Sequence, residues 1–128
     1  MQSRTEAILG QFADSWVETE RFFDNLINNY NFERLKPVRL FINELKQKEG
    51  DRFFRLGTSV HRLLISRSVN HGLRMDQKYI MIETYDEKFE ITLRDGKCTY
   101  RQYMIENLDL NDQRLTNLLR TLKEALVD

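Results

Sequence analysis

The feature that most constrains this chain is a long stripe of large apolar residues near its N-terminus. At about 100° per residue the stripe falls on one face of an α-helix, and its members are Ile8, Leu9, Phe12, Trp16, Phe23, Leu26, Ile27 and Tyr30. Ser3 and Glu6 have the spacing of a capping box, which predicts a helix start there. Asparagines around Tyr30 tolerate left-handed backbone, so the helix is predicted to end there.

The length of this helix points to a partner. About 26 residues at ~1.5 Å each give roughly 40 Å, whereas a compact domain of this size is about 36 Å across. An overhanging stripe needs a partner, most simply a second copy related by a two-fold axis. We therefore predict that Phe12, Trp16 and Phe23 contact a partner. Packing in the chain's own core is the alternative, and a break at Gly10 would remove the overhang.

Two more helices are predicted. Pro37 suits the first turn of a second helix and Gly50 the position just past its end, and the apolar face between them is Val38, Phe41, Ile42 and Leu45. This helix is expected to form an antiparallel hairpin with the first. Asn111 is a candidate cap for a last helix, whose stripe is Leu115, Leu118, Leu119, Leu122 and Leu126.

The middle of the chain changes to a strand period. Four segments are rich in aromatic, β-branched or other apolar residues, namely Arg52–Leu56, His61–Ser68, Lys78–Tyr85 and Phe89–Arg94. Asp86-Glu87-Lys88 predicts a hairpin between the last two, and Asp95-Gly96 predicts a type I′ turn. Residues 57–69 also fit a helix, although a strand is favoured. After Thr99, a short helix to about Asn107 and a continued strand are both open.

The predicted fold class is therefore α+β, with an N-terminal helical hairpin, an antiparallel meander of three or four strands and a C-terminal helix. Residues 1–128 are expected to form a single domain. The 20 basic and 20 acidic residues balance, which argues against non-specific electrostatic binding to nucleic acid or to an anionic membrane. One cysteine and no long apolar run favour a cytoplasmic protein without a membrane segment.

The sequence contains no motif that is specific to one type of catalysis, metal binding or cofactor binding. Cys98, His61 and His71 lack the spacing of a metal site or a nucleophile with its base. The carboxylate pairs Glu83 with Glu90 and Asp109 with Asp112 are explained by cross-strand ion pairs and by the start of a helix. We expect no catalytic residue, no metal and no cofactor, and an enzyme with an unfamiliar site ranks last among the function classes.

The best local signal is the segment 51–76, which holds five arginines and two acidic residues. Arginine favours bidentate contact with carboxylate or phosphate, and we select Arg55, Arg62 and Arg67 as partner-binding residues. The sequence thus favours a non-enzymatic protein-binding or regulatory domain that self-associates through its first helix, most simply as a homodimer. The alternative is a small nucleic-acid-binding protein that uses the arginine-rich segment.

Overall fold

The computed structural model describes residues 4–67, 78–86, 88–95 and 98–124. Within these ranges, three α-helices flank five antiparallel strands in the chain order α1, α2, β1 to β5, α3. The bounds are α1 Arg4–Tyr30, α2 Lys36–Gln47, β1 Arg55–Ser59, β2 Arg62–Ser66, β3 Lys78–Thr84, β4 Phe89–Asp95, β5 Cys98–Ile105 and α3 Gln113–Lys123. The predicted α+β class and the order of its parts are confirmed.

Helix α1 is continuous, so Gly10 does not break it. It ends where Asn31 adopts a left-handed φ of 58°, as the asparagine cluster predicts, and the Phe32 amide donates to the Leu26 carbonyl at 3.1 Å. A 3₁₀ turn at Glu33–Leu35 then leads into α2. Arg39 on α2 donates to Asp24 on α1 at 2.8 Å, which ties the two helices together.

The end of α2 differs from the prediction that Gly50 is the left-handed residue. Glu49 takes that conformation, with a φ of 64°, and Gly50 begins a short 3₁₀ turn, Gly50–Arg52. Glycine is needed at position 50 for space, because a Cβ there would lie 2.7 Å from Leu45 Cγ and 3.1 Å from Trp16 Cη2. This close approach allows α2 to pack over the middle of α1.

The sheet is a simple meander in which each strand pairs with the next along the chain. It has five strands rather than three or four, because Cys98–Ile105 continues as β5 and does not form the alternative helix. Residues 57–66 are extended apart from a tight turn at Val60 and His61, which decides the ambiguous segment in favour of strands. The remainder of that segment, 68–69, and Gly96 of the predicted type I′ turn lie outside the described residues.

One face of the sheet carries the core. Leu56, Ile65, Ile80 and Leu93 lie opposite one another across four strands. They belong to one cluster of buried side chains to which all three helices contribute. The alternation of strand residues sends the charged side chains of Arg55, Arg62, Glu83 and Glu90 to the other face.

Helix α1 also lies along the edge strand β1. The Trp16 indole N–H donates to the Phe54 carbonyl at 2.8 Å, and the Ser15 hydroxyl accepts from the Leu56 amide at 3.0 Å. The helix thus covers part of an edge that would otherwise expose unpaired backbone groups.

The N-cap residue of α3 lies one position later than the predicted cap, Asn111. Asp112 is the cap residue, and its carboxylate accepts from the Arg114 amide at 2.9 Å. Leu115, Leu118, Leu119 and Leu122 of the predicted stripe are buried, whereas Leu126 lies outside the described residues.

Candidate functional site

The three aromatic residues predicted to contact a partner lie inside the chain's own core. Phe12 is 1% exposed, and Trp16 and Phe23 are fully buried. These three residues of the stripe are therefore used within the molecule, whereas Tyr30 at its end is 64% exposed. A surface for a second copy would have to be formed by other residues.

The three predicted arginines do not form one patch. Arg55 and Arg62 share the face opposite the core, but they lie at opposite ends of the β1–β2 hairpin, since Arg55 pairs with Ser66 and Arg62 with Ser59. Arg62 also forms an ion pair with Glu83 at 3.3 Å. Arg67, by contrast, donates to the Lys123 carbonyl at the end of α3.

The acidic residues, histidines and cysteine considered as catalytic or metal-binding candidates are also dispersed. Glu83 and Glu90 do lie opposite each other on β3 and β4. Partial desolvation and these two carboxylates raise the pKa of the Tyr85 phenol, and the cluster's excess negative charge is countered by Arg62. His61 stacks on Phe32 with ring centroids 6.3 Å apart. His71 and the side chain of Cys98 lie outside the described residues.

Neither a metal site nor a membrane helix is found in the described ranges. Within them, no three His, Cys, Asp or Glu side chains are grouped so as to hold a metal ion. None of the helices there combines the length and the apolar character needed to cross a bilayer.

The most coherent candidate is an open pocket of about 310 Å³ between the end of α2 and α3. Its floor is apolar, and the side chains that form it are Leu45, Phe53, Phe54, Leu110 and Leu119. Leu45, Phe54 and Leu119 belong to the buried core, so the floor of the pocket is continuous with the core. Gly50 and Thr116 complete the lining.

Three cations surround this floor, and we call the whole site the basic pocket. Lys48 comes from the end of α2, and Arg120 and Lys123 from the last turn of α3. None of the three forms an ion pair with a described residue, and no described carboxylate lines the pocket. The Lys123 ammonium lies 3.8 Å from the centre of the Phe53 ring, a cation–π contact that holds it at the rim.

Arg67 contacts the C-terminal end of α3 beside the basic pocket but is not one of its lining residues. Its guanidinium donates to the Lys123 carbonyl, while its buried Nε atom has no hydrogen-bond partner among the described atoms. Burial lowers the pKa of Arg67 from its ordinary value, but an arginine remains charged in any ordinary solution. One of the predicted arginines thus borders the site, although the sequence did not indicate this location.

The basic pocket is suited to binding. An apolar floor takes an aliphatic or aromatic side chain, and the cations take carboxylates or phosphates beside it. No described nucleophile with a neighbouring base lines it. Sequence reasoning missed Lys48, Arg120 and Lys123, because the only available signal was their position beside buried leucines at two helix ends.

Comparison with protein-family models, with curated proteins and with solved structures finds no match to this chain.

Proposed function

We propose that this chain is a non-enzymatic protein-binding domain whose partner occupies the basic pocket. The observation that carries the proposal is the pairing of an apolar floor with three cations that have no described ionic partner. Lys48, Arg120 and Lys123 are exposed, so their charged groups are open to contact by carboxylates of a partner. A partner segment with one large apolar side chain and adjacent carboxylates would satisfy both parts of the site.

The expected affinity is modest. Burying one leucine or phenylalanine side chain contributes about 1.5–3 kcal/mol, and each exposed ion pair at the rim adds about 0.2–1 kcal/mol. Association costs at least about 4 kcal/mol in lost freedom of motion. A short segment bound only here should therefore bind weakly and weaken further as salt rises, which suits a reversible regulatory contact.

A displayed library of random 12-residue peptides, panned on the full chain, tests the proposal. We expect enrichment of sequences in which leucine, phenylalanine or tryptophan stands beside aspartate or glutamate. Trp16 supplies an intrinsic signal, since it is the only tryptophan and a Cβ at the pocket residue Gly50 would lie 3.1 Å from its ring. Titration of a selected peptide should therefore change the tryptophan emission, provided that the peptide itself contains no tryptophan.

The double charge reversal Arg120→Glu with Lys123→Glu is the test variant, and Lys36→Glu is the matched control. Lys36 is an exposed cation at the other end of α2, paired only loosely with Glu33 at 3.7 Å. The pocket variant should bind the selected peptides at least tenfold more weakly, while the control should bind normally. Equal binding by both variants would disprove the location, and no acidic enrichment would disprove the partner class.

Self-association and nucleic-acid binding remain predictions with separate tests. Sedimentation of the full chain tests the homodimer. A single-stranded oligonucleotide at low salt tests the alternative function, and Arg55→Glu with Arg62→Glu should then weaken binding. Because the three predicted arginines do not form one patch, a protein partner is favoured over nucleic acid. We propose that the domain is cytoplasmic.

A further inference from the structure

A second cavity, of about 390 Å³, lies between α1 and the β1–β2 hairpin. Gly57 on β1 and Leu64 on β2 form its bottom, where they pair with each other. Their neighbours Leu56 and Ile65 face the core, so this pair lies on the opposite face of the sheet. We call the site the polar cavity, and it shares no lining residue with the basic pocket.

Buried polar side chains are concentrated around the polar cavity. In the part of the chain that the structure describes, five polar side chains are buried, and three of them line this cavity, namely Ser15, Thr19 and Ser66. Burial of a hydroxyl group is costly unless the group forms a hydrogen bond. The convergence of three such groups on one cavity indicates that the cavity is suited to a polar occupant.

The hydroxyl of Thr19 has no hydrogen-bond partner among the described residues. Its side chain is nevertheless buried, at 4% exposure. Threonine in a helix commonly donates to the carbonyl four positions earlier, as Thr116 does to Asp112 and Thr121 does to Asn117, each at 3.0 Å. Because Thr19 lacks this bond and lines the polar cavity, its hydroxyl is available to a molecule inside.

Ser15 supplies a hydrogen-bonding group in a fixed position. Its hydroxyl accepts from the Leu56 amide at 3.0 Å and donates to the Phe12 carbonyl at 2.6 Å. A hydroxyl oxygen has two lone pairs, so Ser15 can still accept one hydrogen bond from an occupant. Thr19 and Ser15 therefore present a donor and an acceptor from successive turns of the same helix.

The remaining lining is partly apolar and carries no net charge. Glu18 and Arg55 have opposite charges that balance. Phe22 also lines the cavity, and an edge-to-face contact with the buried Phe23 holds its ring, with centroids 5.5 Å apart. Apolar surface thus lies beside hydrogen-bonding groups, in a volume within the roughly 300–1,000 Å³ range of small-molecule sites.

We propose that the polar cavity binds a monosaccharide or a cyclic polyol of similar size. Such a molecule is uncharged, and the C–H groups on the faces of its ring can pack against Phe22 and Leu64. Its hydroxyl groups can donate to Ser15 and to the Glu18 carboxylate and accept from Thr19. The inference goes beyond the basic pocket, because it concerns a different surface and a different class of ligand.

Thr19→Val is the central test variant. Valine has nearly the shape of threonine but no hydroxyl, and since that hydroxyl has no described partner, the variant should melt at the same temperature as the wild type or higher. Thr121→Val is the matched control, because it removes a hydroxyl from a helical threonine outside the cavity.

Gly57→Val tests the cavity in a second way. A Cβ at Gly57 would meet only the Leu64 Cβ, at 4.0 Å, so a side chain there extends into the space above Leu64. Gly57 has no positive φ that would require glycine, and valine has the higher strand propensity. The variant should therefore fold normally while the bottom of the cavity is filled.

The probes are glucose, galactose, mannose, xylose and myo-inositol, each titrated into the isotope-labelled full chain and followed by two-dimensional NMR. Cyclohexanol serves as a ring of similar shape with a single hydroxyl. We expect at least one polyol to cause saturable shifts of the Thr19 and Gly57 amides, and cyclohexanol to bind about tenfold or more weakly, because it leaves polar groups of the cavity unpaired.

Thr19→Val should weaken binding of that polyol about tenfold or more, and Gly57→Val should abolish it. Thr121→Val should bind normally. The double variant Arg120→Glu, Lys123→Glu should also bind the polyol normally, which separates this result from the test of the basic pocket.

Four results would overturn the proposal. If none of the polyols causes saturable shifts, water alone occupies the cavity. If a polyol binds equally well to the wild type, Thr19→Val and Gly57→Val, its site lies elsewhere. If cyclohexanol binds as tightly as the polyols, the hydroxyl groups do not select the ligand. If Thr19→Val lowers the melting temperature, the Thr19 hydroxyl has a partner within the chain and is not available to a ligand.

Discussion

Replacement of Trp16 by phenylalanine distinguishes a core residue from a contact with a second copy. In the structure the indole is fully buried and donates to the Phe54 carbonyl at 2.8 Å. Phenylalanine removes the donor, which leaves a buried carbonyl unpaired at a cost of about 1–3 kcal/mol. The smaller ring also leaves a void, at a further cost on the order of 1 kcal/mol.

Trp16→Phe should therefore lower the free energy of unfolding by about 2–4 kcal/mol, a large part of the roughly 5–15 kcal/mol that a typical domain has. Urea denaturation followed by far-ultraviolet circular dichroism measures it, since the variant lacks tryptophan emission. The midpoint should not depend on protein concentration if the ring is intramolecular. Val17→Ala is the control, because Val17 is exposed on the same helix and should change stability by less than about 0.5 kcal/mol.

A different outcome would refute this reasoning. If Trp16→Phe changed the unfolding free energy by less than about 0.5 kcal/mol and instead weakened a concentration-dependent association, the ring would lie at an intermolecular contact. The original prediction from the length of α1 would then be correct, and the packing of α1 against β1 would be wrong.

Three further predictions concern single residues. Ser15→Ala should cost about 1–2 kcal/mol and speed hydrogen exchange at the Leu56 amide, because that buried donor loses its acceptor; unchanged exchange would contradict it. Val60→Gly should raise stability by about 1 kcal/mol in a thermal melt, since Val60 has a φ of 58° that suits glycine; a lower melting temperature would show that the turn is not strained. The hydrogen bond from Arg114 lowers the pKa of Asp112, so its stabilisation is present above the ordinary aspartate pKa and lost as pH falls through the folded value. Asp112→Ala should thus cost about 1 kcal/mol at neutral pH and almost nothing at a pH below the folded pKa of Asp112, and a cost that does not change with pH would contradict the assignment.

The helices and the hairpin from Lys78 to Arg94 could be predicted because each has a strong local period. The position of the first strand was harder to predict from the sequence. Phe53 and Phe54 have strand-forming side chains, yet they precede β1 and pack against Trp16 and Lys123. Gly57 resembles a strand end in the sequence but lies within β1, where it pairs with Leu64 of β2.

The candidate sites could not be predicted for a different reason. The aromatic stripe of α1 was interpreted as a partner surface from its length, but its residues Phe12, Trp16 and Phe23 are buried within the chain itself. The basic pocket joins Lys48, Phe53 and Arg120, which are separated by up to 72 positions in the sequence. Periodicity assigns a residue to a face of its own element, but it does not indicate which faces of different elements meet.

One physical objection to the basic pocket is that cations are expected at helix C-termini in any case. Lys48, Arg120 and Lys123 lie at the ends of α2 and α3, where each helix presents the equivalent of about half a negative charge. Two helix ends therefore offset only about one unit of the three positive charges, and Arg67 contacts the end of α3 nearby. Since no described carboxylate lines the pocket, the helix dipoles explain where the cations are stable but leave the site positive. Neutralising Lys123 to methionine should consequently cost only about 0.3–1 kcal/mol of stability, while it removes one of the charges that an acidic partner would contact.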